Sequence, residues 1–289
     1  MDELIFREVG LGFEILDGRS MAALYRAREE LPRTESPKPC FAPIYTPSRH
    51  LVTEYRPADH PWHTGLYFGW VHVNESNHWG GPWYDQATGE YQLVEGSHGV
   101  QRHDDFSRVG QVDDAVLVEE KLTWLDRADS PVVAETRTFA IRKSFDPLGY
   151  HWRIQTRIEP LGVDQVTMGA SRAARYSGLE LRMGPPFAEA RHRSSEGLEG
   201  HANIMGQRAR WVSATGAEGG EVIMMDHPDN PRHPVTWFTR ANLLGAGLLM
   251  EEDLVITAGE PLELHYGFVV LDEEPTLETI EALYSTFCS

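Results

Sequence analysis

The sequence has few cysteines and few basic residues. Its 289 residues include only Cys40 and Cys288, too few for a disulfide framework or a thiolate zinc site. The 26 Lys and Arg are outnumbered by 44 Asp and Glu, which gives a formal net charge of −18. This charge disfavours binding to nucleic acid or to a membrane surface, and it favours a neutral or cationic ligand.

Long apolar runs and nucleotide-binding loops are also missing. No apolar run approaches the roughly 18 residues of a membrane span, and the first ten residues carry acids where a secretion signal carries bases. We therefore expect a cytoplasmic location. The glycine-rich dinucleotide loop, the phosphate-binding Gly-Lys-Ser/Thr loop and the Gly-x-Ser-x-Gly elbow are all absent, so nothing supports a nucleotide cofactor or serine hydrolysis.

Short segments rich in β-branched and aromatic residues recur along the chain, and each ends at Gly, Pro, Asn or Asp. Residues 117–124, 135–141 and 151–158 are predicted strands, and the last alternates polar and apolar residues as a half-buried strand does. Together these three segments predict an antiparallel meander.

Helical patterns are scarce. Apolar residues recur at helical spacing over 276–287, whereas 21–30 fits either a helix or a strand through 23–25. We expect an all-β fold of two antiparallel sheets packed face to face, with a short C-terminal helix. The absence of a linker predicts one domain over residues 1–289.

Histidine is the most informative residue type, because several of the 13 histidines cluster in one aromatic and glycine-rich stretch. A neutral imidazole titrates near pH ~6.5 and can move protons at neutral pH. The candidate catalytic residues are His60, His63, His72 and His98.

The predicted strand that begins at Leu66 places alternate residues on one face. Phe68, Trp70, His72 and Asn74 share that face, which is aromatic with a polar end. Such a surface suits a sugar, whose C–H faces stack on indole rings while His and Asn bind its hydroxyls. A core strand with one hydrogen-bonded histidine is the alternative interpretation.

A second group of polar residues follows the predicted strand 221–225. Three prolines stiffen the loop that carries Asp226, His227, Arg232 and His233, and a rigid loop presents polar groups to a ligand at little entropic cost. The alternative is a proline-fixed turn whose side chains bond their own backbone.

Clustered histidines also suggest a divalent metal bound by His60, His63, His72 and His98, with Glu95 as an oxygen donor. The spacing matches no established metal motif. No cofactor is therefore predicted, and the metal stays an alternative.

The chain resembles the PmoA-like family of bacterial proteins. The resemblance lies in the motif Asp-His-Pro-Trp-His-Thr-Gly-Leu at 59–66, and in 96–98, 195–198 and 226–234. Trp62 and Thr64 depart from a family pattern that has His and Arg at these two positions. The resemblance implies a β-supersandwich similar to galactose mutarotase and a setting in bacterial carbohydrate catabolism.

The leading hypothesis is an isomerase or lyase that performs mutarotation, epimerisation or elimination on a sugar. One imidazole would deprotonate the substrate and a second would protonate it, while Asp226 or Glu196 orients them and Arg232 steadies an oxyanion. The expected sugar-binding residues are Trp70, Asn74, Trp79, Glu196, Asp226, His227, Arg232 and His233.

Two other hypotheses remain open: a non-catalytic sugar-binding or sensing protein, and a His-ligated metal enzyme. The expected partner is a small neutral carbohydrate, with no nucleic acid or membrane, and a homo-oligomer is left open. Only a basic cluster such as the arginines of 172–175 or 191–193 would offset the acidity enough for a phosphorylated sugar.

Overall fold

The computed structural model describes residues 3–85, 88–169 and 176–289. The arginines expected as a basic cluster at 172–175 lie outside the described residues. The described chain is nearly all β, which confirms the predicted fold class. It forms two large antiparallel sheets, of 11 and 8 strands, and one two-stranded ribbon.

The first ten strands along the chain are β1 to β10. These strands are β1 (Leu4–Val9), β2 (Gly12–Asp17), β3 (Ser20–Arg26), β4 (Cys40–Ile44), β5 (Leu66–Val73), β6 (Ser76–His78), β7 (Trp83–Asp85), β8 (Glu90–Gln92), β9 (Val100–Val112) and β10 (Ala115–Leu125).

The second half covers β11 to β21 and the helices. The strands are β11 (Pro131–Phe145), β12 (Leu148–Pro160), β13 (Gln165–Gly169), β14 (Gly178–Arg182), β15 (Arg191–Ser194), β16 (Trp211–Thr215), β17 (Glu221–Asp226), β18 (Trp237–Arg240), β19 (Leu243–Gly247), β20 (Leu254–Thr257) and β21 (Leu262–Leu271). The helices are α1 (His201–Ile204) and α2 (Leu277–Phe287), with 3₁₀ turns at Arg33–Glu35 and Pro185–Phe187.

The larger sheet has the order β1-β2-β3-β4-β5-β14-β19-β18, with β6 and β13 also paired to β5, and β20 paired to β13. The smaller sheet has the order β15-β16-β17-β21-β12-β11-β10-β9. Neighbouring strands β10, β11 and β12 form the predicted meander. The helix alternative over 21–30 is wrong, because β3 pairs with both β2 and β4 and buries Ala23 and Tyr25 in the core.

The two sheets pack face to face through large aromatic side chains. The ring of Phe68 in β5 lies 6.1 Å from that of Tyr266 in β21, and Trp70 lies 6.2 Å from Trp124 of β10. One hydrophobic cluster draws on strands from β1 to β21. The assignment of a single domain to 1–289 stays a prediction.

Helix α2 covers the outer face of the smaller sheet. Its buried residues Ile280, Tyr284 and Phe287 pack with Trp211 and Met225. This confirms the predicted C-terminal helix. No helix among the described residues is long and apolar enough to cross a membrane.

A charged network is enclosed between the sheets. The Arg137 guanidinium donates from Nε and Nη2 to the two carboxylate oxygens of Glu135, at 2.7 and 2.9 Å. It also donates to the Tyr25 hydroxyl at 3.2 Å and to Oε1 of Gln101 at 3.1 Å, while Tyr25 donates to Glu120. Because Tyr25 belongs to the larger sheet and Arg137 to the smaller, the network links the two.

We expect Arg137→Met to lower the free energy of unfolding by about 3–5 kcal/mol, because it leaves two carboxylates buried without their cation. Urea unfolding at neutral pH measures the change. The control Arg157→Met removes an arginine from an exposed pair with Glu159 on the same meander, and it should cost less than about 1 kcal/mol. Equal losses in the two variants would contradict this prediction.

Candidate functional site

Strand β5 is buried on both faces. Leu66, Phe68 and Trp70 point into the core between the sheets, whereas Tyr67 and Val71 lie on the opposite, outer face. The face expected to stack on a sugar is therefore the inner one, and the expected role of Trp70 is wrong because its side chain is fully enclosed. The outer face carries the candidate site.

Cross-strand pairing aligns side chains in rows on this outer face. In the first row, Phe238 of β18 is opposite Gly245 of β19. Gly245 is in turn opposite Glu180 of β14, and Glu180 is opposite Tyr67 of β5. A second row runs from Arg240 through Leu243 to Arg182. The rows supply a floor with an acid at its centre and two arginines at one side.

A cleft of about 780 Å³ lies over this face. Its walls are mainly aromatic, with three imidazoles, two guanidinium groups and one amide. The described lining residues are His60, Trp62, His63, Trp79, Pro82, Tyr91, Tyr176, Arg182, His201, Phe238, Arg240, Ala241, Asn242 and Leu243.

The first wall is the loop between β4 and β5. Consecutive turns, in which the His60 amide donates to Pro57 and the His63 amide donates to His60, bring the loop back on itself. The imidazole rings of His60 and His63 lie 5.0 Å apart, and Trp62 lies 5.1 Å from His60. Adjacent side chains in the sequence thus become adjacent in the cleft.

The second wall is the segment after β6, which presents Trp79. Oδ1 of Asn77 accepts hydrogen bonds from the amides of Trp79 and Gly80, both at 2.8 Å. Nε2 of His98 lies 2.7 Å from the carbonyl oxygen of Gly81. His98, a predicted catalytic residue, is thus a buried anchor for this segment and does not line the cleft.

Glycine at position 81 lets the two walls meet. Its φ is +68°, and a β-carbon there would lie 2.4 Å from the indole of Trp62. At Gly80, with φ +105°, a β-carbon would lie 2.5 Å from both Trp62 and the Glu35 carbonyl oxygen. The indole therefore packs directly on the glycine backbone.

A buried lysine ties both walls to the sheet. The Lys38 ammonium donates to the carbonyl oxygens of Trp79 at 2.8 Å and Trp62 at 3.1 Å, and to those of Glu35 and Ser36 at 3.3 Å. Both cleft tryptophans are thus held through their backbones by one buried amine, whose pKa burial lowers to about 7.

The two adjacent imidazoles differ in environment. His63 is buried, and burial together with nearby Arg182 lowers its pKa well below the usual range, so this imidazole is neutral at pH 7. His60 is half exposed, and its Nδ1 lies 2.7 Å from the Asp59 carboxylate. This hydrogen bond lowers the pKa of Asp59. Asp59 therefore orients the His60 imidazole in the cleft.

An acid lies under the cleft. Glu180 is completely buried, and neither of its carboxyl oxygens has a hydrogen-bond partner in the described part of the chain. Burial raises its pKa well above the usual range. The hydroxyl of Tyr67, its cross-strand neighbour, likewise lacks a partner among the described groups. Gly245 leaves room for the carboxyl, since a β-carbon there would lie 2.1 Å from it.

Three of the predicted site residues, His60, His63 and Trp79, meet in the cleft. His72 instead lies 4.4 Å from the ring of Trp83. Asn74 occupies the turn after β5 with φ +51°, and its Oδ1 accepts from the Thr167 amide.

The residues predicted in the 226–234 loop form a separate cluster beside α2. Asp226 accepts hydrogen bonds from Asn230 and from the Val235 amide, and its Oδ2 lies 2.7 Å from Nδ1 of His233. Arg232 donates to backbone carbonyls, including that of Leu248. This favours the proline-fixed turn.

The other two predicted binding residues also lie away from the cleft lining. His227 packs against the ring of Phe287 at 5.2 Å. Glu196 is in an exposed turn, where it accepts a hydrogen bond from Ser195. Among the described residues, no three His, Cys, Asp or Glu side chains are arranged to bind a metal ion, so the four histidines of the alternative metal site are not brought together.

Sequence reasoning missed most of the cleft lining. Arg182 and Arg240 meet only because β14 and β18 both pair with β19, and local patterns do not reveal that register. Alternation was the one available signal: in Leu179-Glu180-Leu181-Arg182, leucines that enter the core alternate with charged residues on the other face.

The chain matches the profile of a family of unknown function, DUF6807, over residues 14–285. It is a member of this family. No activity is established for the family, and the PmoA-like resemblance stays a prediction. Among curated proteins no match is found.

Solved structures resemble this DUF6807 member only distantly. The GH36 alpha-galactosidase AgaA from Geobacillus stearothermophilus is 9% identical with a TM-score of 0.42, and the match covers 94% of this chain and 41% of that one. AgaB from the same organism is 8% identical with a TM-score of 0.36, covering 93% and 32%. The chain thus spans less than half of either enzyme, and these low scores assign no activity to it.

We expect Lys38→Met to lower the free energy of unfolding by about 2–3 kcal/mol, because the carbonyls around the ammonium lose a buried donor. The tryptophans of the cleft should also become more mobile, seen as a red shift in fluorescence emission. Lys121→Met, at an exposed site on β10, is the matched control and should change neither quantity. An unshifted emission spectrum in Lys38→Met would contradict the anchoring role.

Replacing Glu180 by Gln should stabilise the protein increasingly as pH rises. The folded protein holds Glu180 protonated, so its stability falls as pH increases from the unfolded pKa near 4.5 towards the raised folded value. Gln has a similar shape to the protonated acid but does not ionise, so the variant does not lose stability as pH rises. Thermal unfolding should show a larger gain in melting temperature at pH 8 than at pH 5.

The exposed carboxyl variant Glu218→Gln is the control for that comparison. A melting-temperature difference for Glu180→Gln that is the same at both pH values would show that Glu180 is ionised in the folded protein.

Proposed function

We propose that the chain is a carbohydrate-active enzyme that transfers protons on a sugar bound in the cleft. One observation carries the proposal: the cleft brings an aromatic wall and two adjacent, chemically different imidazoles into one space of about 780 Å³. Aromatic rings with a few convergent polar groups are typical of a site for an amphipathic small molecule such as a sugar.

The aromatic wall is continuous. Trp79 lies 5.8 Å from His63, and Tyr176 lies 4.3 Å from Trp79 and 5.2 Å from Phe238. A pyranose ring on this wall keeps its hydroxyls towards the imidazoles and the guanidinium groups, which supply donors.

The imidazoles divide the roles of base and acid. His63 is neutral because burial disfavours its charged form, so it is suited to accept a proton. His60, which Asp59 orients and whose ring lies 5.0 Å from that of His63, is assigned the complementary role of proton donor. Such a pair serves anomer or epimer interconversion as an isomerase, or elimination as a lyase.

Glycoside hydrolysis has less support. That reaction commonly uses two carboxyl groups that flank the scissile bond. The described residues lining this cleft include neither Asp nor Glu. A non-catalytic sugar-binding or sensing protein would use the same aromatic wall, and it is the second candidate function.

The test measures binding and chemistry separately. Fluorescence of the cleft tryptophans reports binding of D-galactose, D-glucose, D-galacturonate and D-glucuronate. Proton NMR in D₂O follows anomer interconversion, exchange at carbon and the appearance of alkene signals from elimination. We expect His63→Gln to lower the rate roughly 10²- to 10⁴-fold while binding changes little, because a general base is lost.

His60→Gln should also slow the reaction, whereas His50→Gln, at a position outside the cleft, should leave it unchanged. Trp62→Ala should weaken binding roughly tenfold through lost apolar contact. Binding without any chemical change in the wild-type protein would favour the sensing function. A wild-type rate retained in both histidine variants would reject the proposed acid and base.

A further inference from the structure

The cleft has a charge opposite to that of the whole chain. The protein carries 44 acids and a net charge of −18, yet the described residues that line the cleft include Arg182, Arg240 and three histidines but no Asp or Glu. A wall of one sign focuses the local potential, and a ligand responds to that potential more than to the net charge. The expectation of a neutral ligand followed from the net charge alone.

The two arginines are placed to act on one group. Arg182 and Arg240 are both paired with Leu243, from opposite sides, so their α-carbons are separated by two strand spacings, roughly 10 Å. Leu243 belongs to the apolar cluster on the outer face, which places all three side chains of this row on the cleft side. Two long side chains can converge over the leucine between them.

Acidic neighbours offset only part of this positive charge. Glu54 accepts a hydrogen bond from Nε of Arg182 at 3.1 Å and forms an ion pair with it. Arg240 is exposed, lies 4.8 Å above the Phe238 ring and donates to the Thr239 carbonyl, and no carboxylate in the described part of the chain contacts it. Asp59 is engaged with His60.

The third nearby acid, Glu180, is buried beneath the floor in the same outer-face row as Phe238. Burial holds it protonated, and a neutral acid does not repel an anion. The positive groups above it are therefore not cancelled from below.

We propose that the cleft takes an acidic sugar, with the carboxylate of a uronic acid bound between Arg182 and Arg240. This rests on the proposed function, because it names the substrate class of the same cleft. A guanidinium binds a planar carboxylate through two parallel hydrogen bonds. Because Glu54 offsets the charge of Arg182, the two guanidinium groups leave a net charge near +1 beside a neutral His63. A carboxylate, with a single charge, matches this better than a phosphate, which carries about −1.5 to −2 at pH 7.

The experiment compares matched sugars on the full chain. Titrations with D-galacturonate, D-galactose and D-galactose 6-phosphate, and with the three glucose counterparts, are run on wild type and Arg240→Gln. We expect a uronate to bind at least tenfold more tightly than its neutral partner. Arg240→Gln should reduce uronate affinity about 10- to 100-fold and change the neutral sugar less than twofold.

Arg108→Gln removes the same charge from an exposed position on β9, outside the cleft, and should leave every affinity unchanged. Arg182→Lys keeps the positive charge but loses the two parallel N–H donors of the guanidinium. It should weaken the binding of the uronate only. Thermal unfolding of each variant confirms that it is folded.

Three outcomes would overturn the inference. Equal binding of uronates and neutral sugars would reject an acidic sugar as the ligand, although the proposal that the cleft binds a sugar would still stand. Tighter binding of the phosphorylated sugars would reject a carboxylate as the group bound by the arginines. No binding of any of the six sugars to wild type would reject the proposed function itself.

Discussion

The larger sheet has to be covered on both sides, and the rest of the molecule follows from this constraint. Its central strands β5 and β14 pack one face against the smaller sheet and leave a second face that carries a smaller apolar cluster together with the buried Glu180. The longer helix, α2, lies on the far side of the smaller sheet, and only the four-residue α1 borders the second face beside β18. Loops cover much of the rest of the described face, and a loop needs explicit partners for its backbone groups. Lys38, Asn77 and His98 supply them, which is why these polar side chains are buried.

Local patterns were enough for much of the fold. The meander and the C-terminal helix both depend on residues close in sequence, whose periodicity is visible without any knowledge of partners. The sidedness of β5 was not visible. Alternation separates Phe68 and Trp70 from Tyr67, but when both faces are buried it gives no indication of which face meets the core. His60, His63 and Trp79 were found because neighbouring turns bring them together, whereas Arg182 and Arg240 depend on the register of three strands distant in sequence.

The clustering of histidines in the sequence located the region of the candidate site, but it did not identify the role of each histidine. His60 and His63 both line the cleft. His98 and His233 lie outside the cleft, and each is hydrogen-bonded to a structural partner. The partner of His98 is the Gly81 carbonyl, and the partner of His233 is the Asp226 carboxylate. An imidazole fits either use, because it offers two nitrogens on a compact ring that tolerates burial. The hydrogen-bond partner of a histidine shows whether it has a structural or a reactive role. That partner is visible only in the three-dimensional structure.

The contact between Trp62 and Gly81 also makes these two positions depend on each other. The three heavy atoms nearest to a β-carbon at position 81 all belong to the indole of Trp62, whereas at Gly80 the Glu35 backbone would collide with a side chain in any case. The positive φ of Gly81 adds a second restriction that few L-residues tolerate. A side chain at 81 must displace the indole, so this wall of the cleft is maintained by the pair of residues and not by either one alone.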